Sequence, residues 1–258
     1  RPAMRIVSLV PSATQTLAAL GARDRVVGVT DFDTGPEAAG IRSVGGGLDP
    51  SLETIAALKP DVVVGWESAG GSPLRQRLQA IGIPFFSVEA NDTADIFRVL
   101  GKLGALAGRG AAADSIARSI RAELEAVRAS VAGRPRPTVF YVAGDEPPIT
   151  PGARTFVSEL IGLAGGRNVF ADAEQLWPQV SMEEIVRLQP DLVVVPVEAN
   201  GAERVAALRR RPGWRELRAV RGDGVRMLPV ELVNRPGPDI ARAARALRDL
   251  IHPEAAPR

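Results

Sequence analysis

The sequence predicts an α/β protein of two Rossmann-like lobes with central parallel sheets, joined by one long backbone helix, with a ligand cleft between them. Three observations carry this expectation: an internal echo, an alternation of helical and β-branched segments, and a long helix-forming stretch between the copies. SLETIAALKPDVVVG begins at Ser51, and SMEEIVRLQPDLVVV begins at Ser181, 130 residues later. Eight of fourteen aligned positions are identical over Ser51–Val64 and Ser181–Val194. That spacing is too wide for a solenoid repeat and suits two similar lobes. Each copy reads as a short helix feeding a buried strand whose far end opens into a loop.

The elements follow in order. Arg5–Val10 is an apolar strand that Pro11-Ser12 breaks, and Ala13–Leu20 is a helix stopped by Gly21. Val26–Thr30 is a strand leading into the polar loop Asp31–Pro36. Leu52–Leu58 and Pro73–Ile81 read as helices, and Val62–Gly65 and Phe85–Val88 as strands. This is the pattern of a parallel sheet covered on both faces. From Thr93 to about Val131 Ala, Leu, Arg and Glu dominate, and Ile116, Ile120, Leu124 and Val127 mark one helical face. Unbroken, this stretch would run roughly 50 Å. Gly101, Gly104, Gly108 and Gly110 are its candidate breaks, and a pair of packed helices is the alternative. After Gly133-Arg-Pro-Arg-Pro137 come the strand Thr138–Ala143, the loop Gly144–Gly152 and the helix Phe156–Leu163. The echoed unit follows, then the helix Glu203–Arg210, the strand Val225–Pro229 and a terminal helix over Pro238–Ile251. The expected domains are an N-terminal lobe over 1–93, a helical connector over 94–132 and a C-terminal lobe over 133–258.

Composition narrows the chemistry. The chain has 258 residues, no cysteine, one histidine and a formal net charge of +2. Disulfides and thiolate chemistry are excluded. The densest basic cluster, Arg209–Arg211, reads as a solvated helix end, because a nucleic-acid groove interleaves basic residues with aromatics. No nucleic-acid partner is expected. No apolar run is long enough to span a membrane. The opening RPAMRIVSL enters a strand at once and carries no signal-peptide pattern.

In open α/β folds ligands gather at strand-end loops. Here those loops hold the distinctive residues: Pro11 and Ser12, Phe32 between Asp31 and Asp33, Trp66-Glu67-Ser68, Pro147 and Pro148 after Glu146, Phe170, Trp177, and Asn234-Arg235. Aromatic residues are 4% of the chain, so their placement on loops is informative. Taken singly, each ring has core packing as its alternative. Taken together they line an amphipathic cleft. In WESAG the small residues Ser68, Ala69 and Gly70 leave room beside the Trp66 ring.

Catalytic groups are harder to find. His252 stands alone near the C-terminus and reads as a cap or surface residue. There is no histidine pair or cysteine cluster for a transition metal. Asp31 and Asp33 read as turn caps, with a hard cation as the alternative. Gly45-Gly46-Gly47 is not followed by Lys-Ser or Lys-Thr, so it is no phosphate loop. The expectation is binding, with no catalytic residue, no metal ligand and no catalytic cofactor.

RIVSLVPSATQTLAALG, DRVVGVTDFD and VGGGLDPSLETIAALKPDVVVG, with EPPITPG, GLAGGRNVF, WPQVSMEEIVRLQPDLVVV and NRPGPDI, resemble the helical-backbone (class III) substrate-binding proteins of bacterial ABC importers. The resemblance runs from about Arg5 to Pro253. That class captures cobalamin, haem and iron-siderophores, and WPQVS, NVF and Trp66 lean toward its cobalamin branch. The resemblance implies Trp66 and Phe32 as first-lobe pocket residues, with Phe170 as their second-lobe counterpart and Trp177 nearby. It implies cobalamin or a related corrinoid as transported ligand and a membrane permease as partner. A periplasmic or lipid-anchored monomer is expected. Members carry a permease-docking glutamate on each lobe. Glu203 fits on the second lobe, while the equivalent first-lobe position is Pro73, leaving Glu67 or Glu53 as substitutes. Haem is the alternative ligand, with Tyr141, inside a strand, as the one residue left to offer iron, since His252 lies in the wrong region for a cleft; a ferric siderophore would look to Arg154 and Arg235. A different class, an enzyme on two Rossmann-like lobes, fits the same layout.

Overall fold

The computed structural model of the chain describes residues 1–66, 71–198 and 201–255. β1 (Ile6–Ser8) leads into α1 (Pro11–Ala19), then β2 (Val26–Val29) and β3 (Arg42–Ser43). α2 (Leu52–Ala57), β4 (Val62–Gly65), α3 (Pro73–Ala80) and β5 (Phe85–Ser87) complete a parallel sheet of order β3-β2-β1-β4-β5. β4 is buried at every residue, as a Val-rich strand covered on both faces must be. α1 begins at Pro11, two residues before the sequence places it. Proline has no N–H to leave unpaired at the first helical position, and its φ is already helical.

The helix-forming stretch is two helices, α4 (Thr93–Leu106) and α5 (Gly110–Ser130). They part at Gly108, whose φ of +61° stops the first one. The bare face of Gly104 then lets Ala113 approach; a Cβ on Gly104 would lie 2.6 Å from the Ala113 Cβ. α5 has 21 residues, about 30 Å of rise. Ile120, Leu124 and Val127 are buried along its expected face, and Ile116 is half-buried.

β6 (Thr138–Tyr141) opens the second half. The loop expected over Gly144–Gly152 contains a hairpin, β7 (Gly144–Asp145) and β8 (Pro148–Ile149). Then come α6 (Phe156–Leu163), β9 (Arg167–Asn168), α7 (Met182–Leu188), β10 (Leu192–Val197), α8 (Gly201–Arg210), α9 (Arg218–Arg221), β11 (Val225–Pro229) and α10 (Ile240–Ile251). The second sheet is parallel, in the order β11-β10-β6-β9.

The chain forms two compact units. Unit 1 is Arg1–Ala90, Ala94–Ser119 and Arg235–Pro238; unit 2 is Asn91–Thr93, Ile120–Asn234 and Asp239–Arg258. The chain passes from one to the other within α5. Val7, Leu9, Ile55, Val63 and Leu78 centre the first core, and Phe140, Val142, Ile185, Val193 and Trp214 the second.

The echo is structural down to its caps. The Ser51 hydroxyl accepts the Thr54 N–H at 3.2 Å, and the Ser181 hydroxyl accepts that of Glu184 at 3.1 Å. Each helix then ends at a left-handed residue, Lys59 at φ 45° and Gln189 at φ 43°. Two residues on, Asp61 Oδ2 accepts the backbone N–H groups of Met4 at 2.7 Å and Arg5 at 2.9 Å. Asp191 Oδ2 accepts the Thr138 N–H at 2.8 Å and its hydroxyl at 2.7 Å. Backbone N–H groups are the leading cause that lowers both carboxyl pKa values, Met4 for Asp61 and Thr138 for Asp191. Each aspartate thereby ties the entry of a central strand to the strand beside it.

Candidate ligand-binding site

In unit 1 the chain steps outward from β1 through β2 and β3, then returns to the other side of β1 with β4 and β5. The strand order reverses at β1. Loops leaving the carboxyl ends of β1, β2 and β4 surround that point, the usual ligand position of an open α/β sheet. Pro11 and Ser12 follow β1 and are half-buried, Phe32 follows β2, and Trp66 follows β4. Phe32 is 65% exposed and Trp66 48%.

The Phe32 loop is closed by its own polar groups. Asp33 Oδ2 accepts the Thr30 N–H at 2.9 Å and its hydroxyl at 2.6 Å, and the Thr30 Oγ1 accepts the Phe32 N–H at 3.2 Å. The Ser43 hydroxyl donates to the Asp31 carboxylate, and the Asp31 N–H donates to the Gly45 carbonyl at 3.0 Å. Both aspartates therefore serve the loop, as turn caps do.

Arg235 differs from the expectation. Its Nη2 donates to the Phe32 carbonyl and to the Thr34 hydroxyl, both at 3.1 Å, and its Nη1 lies 3.6 Å from Glu37 Oε1. Its guanidinium is taken up bracing the Phe32 loop. Asn234 is exposed, with its N–H on the Val230 carbonyl at 3.0 Å.

Leu48 also lies on a loop of this sheet and differs from the expected set. It is 74% exposed on the loop after β3. That loop passes close to the end of β1, where a Cβ on Gly47 would lie 2.8 Å from the Leu9 carbonyl oxygen. The signal was present in GGGLDP, a lone leucine among glycines and Asp-Pro.

In unit 2 the order reverses at β6, with β9 on one side and β10 and β11 on the other. The hairpin leaving β6 carries exposed Pro147 and half-buried Pro148. The segment bearing Trp177 runs beside it. The Val180 N–H donates to the Pro148 carbonyl at 2.9 Å, the Thr150 N–H to the Pro178 carbonyl at 3.2 Å, and the Gly152 N–H to the Leu176 carbonyl at 2.8 Å. Trp177 is 44% exposed.

Phe170 is a correction. It is buried, its ring edge-on to Phe140 with centroids 5.9 Å apart. The cause is Asn168, itself buried, whose Oδ1 accepts the Phe170 N–H at 3.0 Å. The Asn168 amide donates to the Pro151 carbonyl at 2.7 Å and the Ser158 hydroxyl at 3.0 Å. This fixed turn sends the Phe170 ring into the core and not toward a ligand.

His252 caps α10 but is buried, correcting the surface alternative; its Nε2 lies 3.4 Å from the Gly165 carbonyl and its Nδ1 3.4 Å from Glu254. Tyr141 is buried within β6, and burial pushes its phenol pKa well above the ordinary value. Glu67 and Ser68 lie outside the described residues. Glu203 is exposed in the first turn of α8, and Glu53 is exposed in the first turn of α2. No group of three or more metal-ligating side chains occurs among the described residues, and no described helix is long and apolar enough to cross a membrane.

Unit 1 thus carries two exposed rings on carboxyl-edge loops, Phe32 and Trp66, and unit 2 carries one, Trp177. Among the described residues the exposed aromatic side chains are Phe32, Trp66 and Trp177, and each follows from an expected position. Two parallel α/β units with such loops define the architecture of a two-lobed binding protein. The chain belongs to the periplasmic binding protein family, which it matches over residues 6–232. It is 30% identical over 258 residues to the ABC transporter substrate-binding lipoprotein YvrC of Bacillus subtilis, covering 97% of this chain and 80% of that one. The crystal structure of the periplasmic vitamin B12 binding protein BtuF of Vibrio cholerae superposes with a TM-score of 0.80 at 29% identity, covering 98% of each chain. The periplasmic heme-binding protein RhuT from Roseiflexus sp. RS-1 gives a TM-score of 0.83 at 27% identity, covering 98% of this chain and 99% of that one.

Proposed function

We propose that this protein is the substrate-binding component of an ABC importer, that it captures cobalamin or a related corrinoid, and that it hands this ligand to a membrane permease. The observation that carries the reading is the trio of exposed rings, Phe32, Trp66 and Trp177, on loops of the two units. A corrin is a broad disc with apolar faces and edge groups and an amide fringe. Aromatic faces suit the disc, and loop carbonyls and N–H groups suit the fringe. Leu48, on the loop after β3 in unit 1, is a further exposed apolar side chain.

The choice of corrinoid over haem rests on the ligands to the metal. Cobalamin carries axial ligands to its cobalt as well as the ring nitrogens, so a capturing protein has to supply none. Haem iron looks for a side chain, and Tyr141 and His252 are both buried in unit 2. A ferric siderophore, usually anionic, would draw on free arginines. Arg235 is committed to Phe32, Thr34 and Glu37, leaving exposed Arg154. Relatives named for vitamin B12 and for heme keep both ligands in the test.

Glu203 is the docking residue of unit 2, where its charge also meets the favourable helix N-terminus. Glu53 or Glu67 serves unit 1. α5 is the backbone that the two units share, and the protein works outside the cytoplasm, free or lipid-anchored, as a monomer without turnover.

Titration of the purified protein with cyanocobalamin and, separately, haemin tests the reading by absorbance and tryptophan fluorescence. Saturable binding of cyanocobalamin with no iron-ligated Soret band from haemin is expected. The reverse pattern would assign the protein to haem. Turnover of a nucleotide sugar would move it to the enzyme class.

A further inference from the structure

We propose that Arg211 is the positioning residue that holds the hairpin Gly144–Ile149, and with it the Trp177 segment, in ligand-ready geometry. The inference rests on the functional reading above for its ligand, and on unit 2 alone for its geometry. Arg211 follows the last residue of α8 and lies far in sequence from the hairpin. Its Nη1 donates to Asp145 Oδ2 at 2.8 Å, and its Nη2 lies 3.5 Å from Glu146 Oε2. One guanidinium thus grips two consecutive hairpin carboxylates, an arrangement that arginine supports and lysine reproduces only in part.

The hairpin needs such a hold. It is two residues on each strand, and so short a ribbon is marginal without support. Its inner edge is fixed by the Ala143 N–H on the Ile149 carbonyl at 2.9 Å. Its outer edge carries the Trp177 segment through the Val180 N–H on Pro148 and the Thr150 N–H on Pro178. Arg211 anchors the tip from a helix end. That end is itself seated, since a Cβ on Gly213 would lie 3.0 Å from the Met182 side chain, and Trp214 is buried against Phe140. α8 therefore carries proposed docking at one end, in Glu203, and the hairpin at the other.

The test compares Arg211→Gln with Arg211→Lys by native-state hydrogen exchange and by cyanocobalamin titration. In the ligand-free Gln variant the amides of Ala143, Thr150 and Val180 should exchange faster than in the parent protein, while the rest of unit 2 keeps its rates. Cyanocobalamin should bind about threefold to tenfold more weakly, and the Lys variant should recover part of that loss. Unchanged exchange at the three amides overturns the proposal. So does faster exchange spread evenly through unit 2, which is general destabilisation, and so does local loosening with unaltered affinity. If the parent protein takes no cyanocobalamin, the functional reading fails separately, and the three amides still decide whether Arg211 holds the hairpin.

Discussion

The guanidinium of Arg235 donates to the backbone carbonyl of Phe32 at 3.1 Å, across 203 residues of sequence. The C-terminal part of the chain returns to unit 1 at this point and braces the loop after β2 that carries an exposed ring. Arg235→Gln should therefore weaken cyanocobalamin binding by about 1–2 kcal/mol while changing the melting temperature little, because the contact is to a surface loop. Full affinity in that variant, measured by fluorescence titration, removes the brace from the binding account.

Trp66 stands directly after a strand that is buried throughout, so its backbone is held still while its ring faces solvent. Trp66→Ala should cost about 1–3 kcal/mol of ligand binding and little folding stability. Titration beside a thermal melt checks both. An unchanged affinity with a large fall in melting temperature would return Trp66 to the core.

Phe170 should behave in the opposite way. Its ring packs on Phe140 in the core of unit 2. Phe170→Ala should lose about 3–5 kcal/mol of stability by urea denaturation, with bound cyanocobalamin affinity nearly unchanged under native conditions.

Glu203 is exposed at the start of α8 and outside the hairpin and ring loops. Glu203→Lys should leave ligand affinity intact and reduce stimulation of the permease's ATPase in reconstituted vesicles. Loss of ligand binding in a folded Glu203→Lys protein would place the residue in the pocket.

Asp191 has a lowered pKa, chiefly through the Thr138 N–H and then its hydroxyl. A carboxyl whose folded pKa is depressed stabilises the fold above its unfolded value, near 4, and loses that contribution as pH falls through the folded value. Asp191→Asn should thus be less stable than the parent at pH 7, by about 1 kcal/mol for hydrogen bonds at an exposed site. The gap should close below about pH 4. Denaturation midpoints at pH 7, 5 and 3 decide it; a gap independent of pH would mean the charge is not what matters.

What the sequence determined by itself is local or periodic. β4 and β10 were readable because a strand covered on both faces must be a run of β-branched residues. Trp66 was legible as a loop residue for the same reason, since it follows such a strand immediately. The tertiary structure decided the rest. Gly101 and Gly108 look alike in sequence, yet Gly101 stays inside α4 and Gly108 takes the left-handed turn that ends it. Phe170 turns inward because Asn168 is tied to Pro151 and Ser158. Arg235 braces Phe32 because the chain comes back after 203 residues. For Asn168 and Arg235 the partners Pro151 and Phe32 lie outside the range over which helix and strand periodicity act, so no local pattern records them.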